Sequence, residues 1–478
     1  MASGDPSSFP PHALILEQIM AQRKKNFRPD LITPKNPPQH LPVVQTDAAG
    51  IDIGSAEHFV AVPPGRDPQP VRRFAAFTAD LQHLADWLTQ CGIKTVAMEA
   101  TGVYWIPLFE LLESRGFEVF LVDPRQTKAV KGRPKSDRLD CQWIQRLHSC
   151  GLLAGSFRPQ DELVVLRGYL RQLQMLVRYA AQHVQHIQKA LEQMNLKLTE
   201  VISDVTGKTG MDILHAILKG ERDPLELAKF RNEHCKISEA GLAQALLGNW
   251  REEHLFSLKQ AVGLWESYQN LIRECDHEIE RYLATLPDRS GGQTLPRRPK
   301  VRKLKPHEPA YDARGLVHRA CGVDLTAIEG IDQTTALVLL GEIGPDLSRF
   351  PTVKNFTAWL GLCPQHQISG GRVQSRRVRP EMNRAAHALR LSARSLHHSK
   401  SALGAFYRRM RSRLGAPKAI VATAHKLARL VYALLTRGEA YIAQAMTDYE
   451  QAYEVRKLSG LSRQAAALGY RLEPVSPS

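Results

Sequence analysis

Short apolar segments alternate with amphipathic ones through the first third of the 478-residue chain. Strand-like runs, rich in β-branched and aromatic residues, lie at 50–53, 58–62, 71–77, 95–99 and 118–122. Apolar residues spaced three and four apart predict helices at 80–89, 105–115 and 137–148. Because the first three strands follow one another directly and the later ones alternate with helices, the pattern predicts a mixed sheet in an α/β domain at 45–158.

The segment at 159–286 has the repeat of long helices instead. Its first part carries a heptad seam formed by Leu163, Leu166, Leu170, Leu173, Val177, Ala180, Val184, Ile187 and Leu191. A second helical pattern at 255–286 supplies a candidate partner, with shorter helices predicted between the two at 209–219 and 238–247. We therefore predict a helical coiled-coil linker region. Two interpretations stay open, because such a seam packs either within one chain or between subunits.

The carboxyl half begins with a basic, proline-rich break at 287–319, which predicts a flexible linker. Helical patterns at 350–360, 380–397, 402–414 and 417–437 then predict a mainly helical domain over 320–440, with a loop at 363–371. Near the start of this domain, Gly330 separates two helical patterns, as in a helix-hairpin-helix-like element, although glycine turns between helices are common.

The two ends of the chain carry weaker patterns. Polar, proline-rich composition predicts a flexible basic arm at 1–44, with one short helical stretch at 13–24. The segment 441–478 is predicted to be a tail that is loosely ordered after Gly460. The chain is therefore expected to be α/β in its first domain and α-helical in the rest.

Positive charge dominates this composition, with a net charge of +16 and a pI near 9.6. The charge is densest at 367–430, where Glu381 is the one acid among fifteen lysines and arginines. A solvated basic face is the plain explanation. A field of one sign this dense nevertheless repels itself unless a polyanion neutralises it, so the pattern favours a nucleic-acid partner.

Cysteine usage and hydropathy bound the compartment. Seven cysteines occur without a Cys-x-x-Cys pair, which is typical of a reducing compartment and argues against a disulfide framework or a zinc knuckle. No apolar run approaches the roughly 20 residues of a membrane span. The amino terminus also lacks the charged-then-apolar pattern of an export signal. We therefore expect a cytoplasmic protein with no membrane partner.

Four acidic residues mark the candidate chemistry. Asp52 and Glu99 end two of the predicted strands, and Asp137 and Asp140 begin the helix that follows. Carboxylates gathered at one point repel each other unless a cation lies between them, and Mg²⁺ prefers such oxygen ligands. Asp137 alone has a plain alternative, because an acid at a helix amino terminus favours the helix dipole. The ordered set, however, is how a ribonuclease-H-like fold builds a divalent-metal site for phosphodiester chemistry.

A basic segment leads directly into this acidic helix. Lys128, Lys131 and Arg133 lie between the last predicted strand and Asp137. Because the segment enters the helix that carries two of the acids, we expect these side chains to guide a phosphate toward the metal site.

With these motifs the chain resembles the DEDD transposases of the insertion sequence 110 family, described as bridge-RNA-guided recombinases. The resemblance rests on Gly50-Ile51-Asp52-Ile53-Gly54, Met98-Glu99-Ala100-Thr101-Gly102, Lys135-Ser136-Asp137-Arg138-Leu139-Asp140, Ile328-Glu329-Gly330-Ile331 and Gly361-Leu362-Cys363-Pro364 through Ser369-Gly370-Gly371. It covers roughly 45–200 and 320–440. It implies a RuvC-like nuclease domain, a long helical linker and a transposase domain that carries a nucleophilic serine.

The resemblance also implies a cofactor, partners and a location. It implies Mg²⁺ at the four acids, donor and target DNA as substrates, and a bridge-type non-coding RNA as guide. It further implies a homo-oligomer, a dimer or tetramer, whose subunits contribute different domains to a composite site. The expected location is a prokaryotic cytoplasm, with nucleoid association when the protein is active.

Ser369 is the serine that matches the family's nucleophile, although many members carry two serines before the glycines. A serine beside glycines is usually part of a turn. The chemical interpretation is favoured by neighbouring positive charge, which lowers a hydroxyl pKa and holds phosphoryl oxygens. That charge comes from Arg372, Arg376, Arg377 and Arg379.

Three alternative functions remain open from the residues. The acids alone would suffice for a metal-dependent nuclease or junction resolvase without serine chemistry. The run Gly50-Ile51-Asp52-Ile53-Gly54-Ser55 resembles the first phosphate loop of sugar kinases and actin-like ATPases, but no second phosphate motif accompanies it. A non-enzymatic nucleic-acid scaffold would leave four acids facing a polyanion without an explanation.

Overall fold

The computed structural model describes residues 42–127, 136–159, 161–295, 308–364, 367–375, 378 and 383–473. It divides into two compact units, Met1–Phe157 and Arg158–Ser478, which are described separately below. The domain boundaries given by the sequence pattern stay predictions. The predicted arm up to residue 41, residues 296–307 of the basic break and six predicted nucleic-acid contacts lie outside the described residues. Those contacts are Lys128, Lys131, Arg133, Arg376, Arg377 and Arg379.

The first unit is built on a five-stranded sheet with the strand order β3-β2-β1-β4-β5. The strands are β1 Ala48–Ile53, β2 Glu57–Ala61, β3 Val71–Ala75, β4 Thr95–Glu99 and β5 Glu118–Val122. The pairs β1–β2 and β2–β3 are antiparallel, whereas β1–β4 and β4–β5 are parallel. The predicted mixed sheet is therefore confirmed.

Helices cover both faces of this sheet. They are α1 Thr78–Gln90, α2 Ile106–Ser114, α3 Pro124–Thr127 and α4 Asp137–Ser149. Ile51 and Met98 point into the core formed with α1 and α2. Ala97 points the other way, into a core with Ile144 of α4. Since successive side chains of a strand alternate between faces, the α4 face also receives the residues that precede and follow Ile51 in β1.

The second unit is helical and begins with a long hairpin. Its helices α5 Asp161–Gln193 and α10 Glu252–Thr285 pack along each other and run antiparallel. Tyr282 donates a hydrogen bond to the Glu162 carbonyl at 2.7 Å, and its ring centroid lies 6.0 Å from that of Tyr169. At the other end, His183 stacks on Tyr268 at 5.3 Å. The heptad seam of α5 is thus used within one chain, and a role in joining subunits stays a prediction.

Four short helices close the far end of this hairpin around their own core. They are α6 Leu198–Val201, α7 Lys208–Leu218, α8 Pro224–Ala228 and α9 Glu239–Ala245. Leu191 of α5, Ile213 of α7 and Leu258 of α10 are fully buried in this core. The two helices predicted here at 209–219 and 238–247 are confirmed to within two residues at each end.

The remaining elements are helices and one small hairpin. They are α11 Ala313–Cys321, α12 Gln333–Ile343, α13 Val353–Trp359, β6 Gln367–Ser369, β7 Arg372–Ser375, α14 Arg384–Ser395, α15 Ala402–Leu414, α16 Ala416–Arg437 and α17 Glu439–Ala467. Between α11 and α12, Gly330 has a φ of 91°, and an added Cβ would lie 3.1 Å from Leu396. The turn of the predicted helix-hairpin-helix-like element therefore packs closely against the segment after α14.

Three predicted boundaries or conformations are wrong in this unit. The predicted loop at 363–371 contains the strand β6, because the following Gly-Gly pair forms a tight hairpin turn. The predicted linker ends before α11, and its early part is held where the Arg289 amide donates to the Arg319 carbonyl at 2.7 Å. The segment after Gly460, predicted to be loosely ordered, continues α17 as far as Ala467. Earlier in this helix, the Glu450 carboxylate accepts from the Ala402 amide at 2.8 Å.

Among the described residues, α16 is the one helix long and apolar enough to cross a membrane by length and composition. Core helices of soluble proteins pass the same test. The apolar side of α16 packs against α13, α14, α15 and α17. Its Leu427 and Val431 side chains are fully buried in that packing.

Candidate functional site

Asp52 and Glu99 lie side by side at the carboxyl ends of two parallel strands. The register pairs Ile51 of β1 with Met98 of β4, and each acid is the next residue of its strand. Neighbouring strands are about 4.8 Å apart, and both acids follow residues that point into the α1–α2 core. Both carboxylates therefore project from the opposite face, which α4 covers.

The backbone of α4 packs directly on β1 because Gly50 has no side chain. A Cβ at Gly50 would lie 2.1 Å from the Gln145 amide nitrogen and 2.6 Å from the Cys141 carbonyl oxygen. The Gln145 amide group also donates to the Ala48 carbonyl at 3.2 Å. This close approach brings the amino-terminal turns of α4 to the strand end that carries Asp52.

Asp137 and Asp140 occupy the first turn of α4. Ser136 caps the helix, accepting a hydrogen bond from the Leu139 amide at 3.3 Å. Asp137 is exposed, and Asp140 is half-buried on the side toward the sheet. Burial, reinforced by the nearby Asp52 carboxylate, raises the pKa of Cys141 to about 12. Asp52 thus lies within electrostatic reach of the residue that follows Asp140.

Glu99 is held by a residue that the sequence interpretation did not select. Its Oε2 accepts a hydrogen bond from the Thr127 hydroxyl at 3.0 Å. The Thr127 carbonyl in turn accepts from the Trp143 indole of α4 at 3.1 Å. Thr127 therefore links the end of β4 to α4. Its sequence signal was weak, namely a hydroxyl residue just before the basic segment that contains Lys128.

The donors at this edge suit a hard cation, because all four predicted ligands are carboxylates. Within the described part of the chain, however, no group of three or more His, Cys, Asp or Glu side chains is arranged to hold a metal ion. Glu99 is oriented at this edge by the hydrogen bond that its carboxylate accepts from Thr127. The fold brings the carriers of the four acids together, and the metal set itself stays a prediction.

Ser369 ends β6 at the turn of the hairpin in the second unit. It pairs with Arg372 of β7, and both side chains are exposed. Gly370 and Gly371 form the turn with φ values of 55° and 74°, which glycine adopts without strain. The hairpin presents the hydroxyl and one guanidinium together. The roles assigned to Arg376, Arg377 and Arg379 stay predictions.

His148 anchors the other end of α4. Its Nε2 lies 2.9 Å from the Thr95 hydroxyl at the start of β4, and its ring is 4.8 Å from that of Phe120. The ring is 1% exposed, and burial lowers its pKa to about 4. This contact ties the helix that carries two acids to the strand that carries Glu99.

The first unit should therefore lose stability in mild acid. The unfolded chain takes up a proton at His148 near pH 6.5, whereas the folded protein resists it until about pH 4. The loss runs through that window and amounts to about 2 kcal/mol at pH 5 relative to pH 7. Denaturant unfolding at both pH values measures it. His148→Gln should remove this part of the pH dependence and leave only the smaller loss that buried His58 contributes in the same direction. A variant with the same pH dependence as wild type would contradict the assignment to His148.

Comparison with known proteins matches both halves of the chain to transposases. Residues 49–196 match a family model for DEDD transposases of the IS110 type, described as "Transposase". Residues 324–408 match a second one, described as "Transposase IS116/IS110/IS902 family". The first match contains all four acids, and the second contains Ser369.

A curated relative agrees with these matches. The chain is 34% identical over 139 residues to a Sinorhizobium fredii protein named "Putative transposase y4pF/y4sB". The match covers 26% of this chain and 34% of that protein, so the chain spans about a third of the relative's length. The two family matches and this relative together identify the family. The chain belongs to the IS110 family of transposases.

Proposed function

We propose that the protein is the recombinase of an insertion sequence, which cuts and exchanges DNA strands under the guidance of a structured RNA. The observation that carries the proposal is the position of Asp52 and Glu99 on adjacent parallel strands, on the face of the sheet that α4 covers. That turn adds Asp137 and Asp140 to the same edge of the sheet.

Ser369 supplies the nucleophile in this proposal. Its hydroxyl oxygen forms a bond to a DNA phosphorus while the bond from that phosphorus to the 3′ oxygen breaks. The serine proton passes to solvent, and the 3′ oxygen takes up a proton and leaves as a hydroxyl. The 5′ phosphate stays joined to the serine. Arg372, which pairs with Ser369 across the hairpin, places a guanidinium beside the phosphoryl oxygens.

The four acids assist the same reaction by holding Mg²⁺. Bound Mg²⁺ stabilises negative charge that develops on the phosphate oxygens. The chain's own contribution is orientation: Thr127 holds Glu99 by a hydrogen bond of 3.0 Å, and Ser136 fixes the first turn of α4. An all-carboxylate donor set favours Mg²⁺ over softer metals.

The partners follow from the charge of the chain. A net charge of +16, concentrated in the arginine-rich segment after Ser369, suits donor and target DNA together with a bridge-type RNA. We further propose a homo-oligomer, because strand exchange joins two DNA partners and each subunit carries one copy of each motif. The proposed location is the cytoplasm, at the nucleoid during the reaction.

A covalent-adduct assay tests the proposal. The protein is produced with its flanking DNA, supplied with Mg²⁺, denatured and examined for DNA attached to protein. Wild type should form the adduct, and Ser369→Ala should form none, because the attacking hydroxyl is gone. Ser375→Ala is the matched control, since Ser375 lies on the same hairpin at the far end of β7. It should form the adduct like wild type.

Two further outcomes separate the alternatives. Cleavage without an adduct that survives Ser369→Ala would place the protein among metal-dependent nucleases. Treatment of the purified protein with ribonuclease should remove the adduct if an RNA guides the reaction, and sequencing the co-purified RNA would identify it. Full activity after complete RNA removal would contradict guidance by RNA.

A further inference from the structure

A groove of about 620 Å³ opens in the second unit, and its lining does not include Ser369 or Arg372. Three helices form most of it: α5 contributes Gln174, and α12 contributes Thr334, Thr335 and Val338. From α14 come Arg384, His387, Ala388, Arg390 and Leu391. These helices pack on one another within the same unit. The volume lies in the range of sites that take small molecules or single nucleotides.

The groove carries more positive than negative charge. Arg384 donates to the Gln174 side-chain oxygen at 2.7 Å. Burial, then the neighbouring cations Arg171 and Arg178, lowers the pKa of Arg384, while Glu342 acts against this. Positive side chains therefore crowd together here, and a bound anion would relieve their mutual repulsion.

The nearby acid is already engaged. The Glu342 carboxylate accepts from Arg171 at 3.0 Å and forms an ion pair with Arg167 at 3.1 Å. Its side chain is 10% exposed, so it faces away from solvent. Glu342 is thus shared among several arginines, and the cluster keeps a net positive charge. Arg384 and Arg390 line the groove, and Arg178 lies one helical turn after the lining residue Gln174 on α5.

Apolar and neutral polar groups complete the lining. Leu391 is 55% exposed although it lies on a packed helix, and Val338 lies opposite on α12. The hydroxyls of Thr334 and Thr335 and the imidazole of His387 add hydrogen-bonding groups. A simple inorganic anion would need only the arginine side chains for binding. A combination of cations, hydroxyls and an exposed apolar side chain instead matches a phosphate joined to a sugar and a base.

We propose that this groove binds an unpaired nucleotide segment of nucleic acid, with a phosphate at Arg178 and Arg384 and a base against Leu391. A duplex has no free base to enter such a concave site, whereas a loop or single strand does. This groove rests on the proposed function and adds to it a binding site for guide RNA or displaced DNA. The site is made of residues other than the proposed catalytic ones.

The test measures binding without catalysis. Full-length protein carrying Asp52→Asn, which leaves the ligand uncut, is titrated with fluorescent single-stranded RNA and with DNA of the same sequence at several salt concentrations. Arg384→Gln and Arg178→Gln should each weaken binding about three- to tenfold and flatten the plot of log affinity against log salt by about 0.7. Arg394→Gln is the matched control, because Arg394 is exposed on the same helix outside the groove.

The outcomes are distinct. A larger loss with RNA assigns the groove to the guide, and a larger loss with DNA assigns it to the substrate strand. Leu391→Ser should weaken binding of oligonucleotides but not of inorganic phosphate. Unchanged affinity and salt slope in both groove variants, or an equal loss in Arg394→Gln, would overturn the proposal. Thermal unfolding of each variant confirms that the fold is retained, and the adduct assay, run separately, reports on Ser369.

Discussion

An Asp52→Asn protein should remain folded and lose Mg²⁺-dependent DNA cleavage by roughly two to four orders of magnitude. Asparagine has the shape of aspartate but lacks the charge that binds a hard cation, so the loss of several kcal/mol of transition-state stabilisation falls on the reaction rather than on the fold. Asp52 is half-buried at the end of β1, where an amide of the same shape can be accommodated. Cleavage rates measured at a saturating Mg²⁺ concentration give the effect.

The matched control is Asp123→Asn. Asp123 follows β5, the next parallel strand, and its carboxylate accepts a hydrogen bond from the Arg125 amide at 2.9 Å. Asparagine preserves that acceptor, so this variant should cleave like wild type. Equal activity of Asp52→Asn and Asp123→Asn would remove Asp52 from the catalytic set. An equal loss in both would instead point to a general effect of charge on DNA binding.

Gly50→Ala should destabilise the first unit by about 3 kcal/mol or more and displace α4. The added methyl group would overlap backbone atoms of Gln145 and Cys141 at 2.1 and 2.6 Å. Helix backbone cannot turn aside as a side chain can, so the cost falls at or above the upper end found for overpacked cores. The melting temperature should fall by on the order of 10 °C. Cleavage should fail as well, because α4 carries Asp137 and Asp140.

Gly168→Ala provides the control for this change. Gly168 lies within α5, and an added Cβ meets nothing within 4 Å. Alanine is the better helix former by about 1 kcal/mol, so this variant should be as stable as wild type or slightly more stable. A Gly50→Ala protein with wild-type melting temperature would show that α4 does not pack on β1 as described.

Much of the first unit could be predicted from local pattern. The strands at 95–99 and 118–122 were predicted to the residue, because short β-branched runs bounded by turns signal their own limits. The same alternation places Asp52 and Glu99 on one face, since both follow a buried residue in a strand. Local pattern could not decide whether the heptad seam of α5 packs within one chain or between subunits, because both kinds of helix packing use the same spacing of apolar residues.

Errors occurred where distant contacts outweigh composition. The segment after Gly460 is predicted to be loosely ordered, but α17 continues through it to Ala467. Distant contacts hold this helix: Glu450 accepts from the Ala402 amide, and the Lys426 ammonium lies 3.3 Å from the centroid of the Tyr449 ring. The order of residues thus specifies which side chains can perform the chemistry. Chain folding alone determines that Thr127 meets Glu99 and that Gln174 of α5 meets Arg384 of α14. Such pairs are 28 and 210 residues apart, and spacing along the sequence encodes only neighbours within a strand or a helical turn.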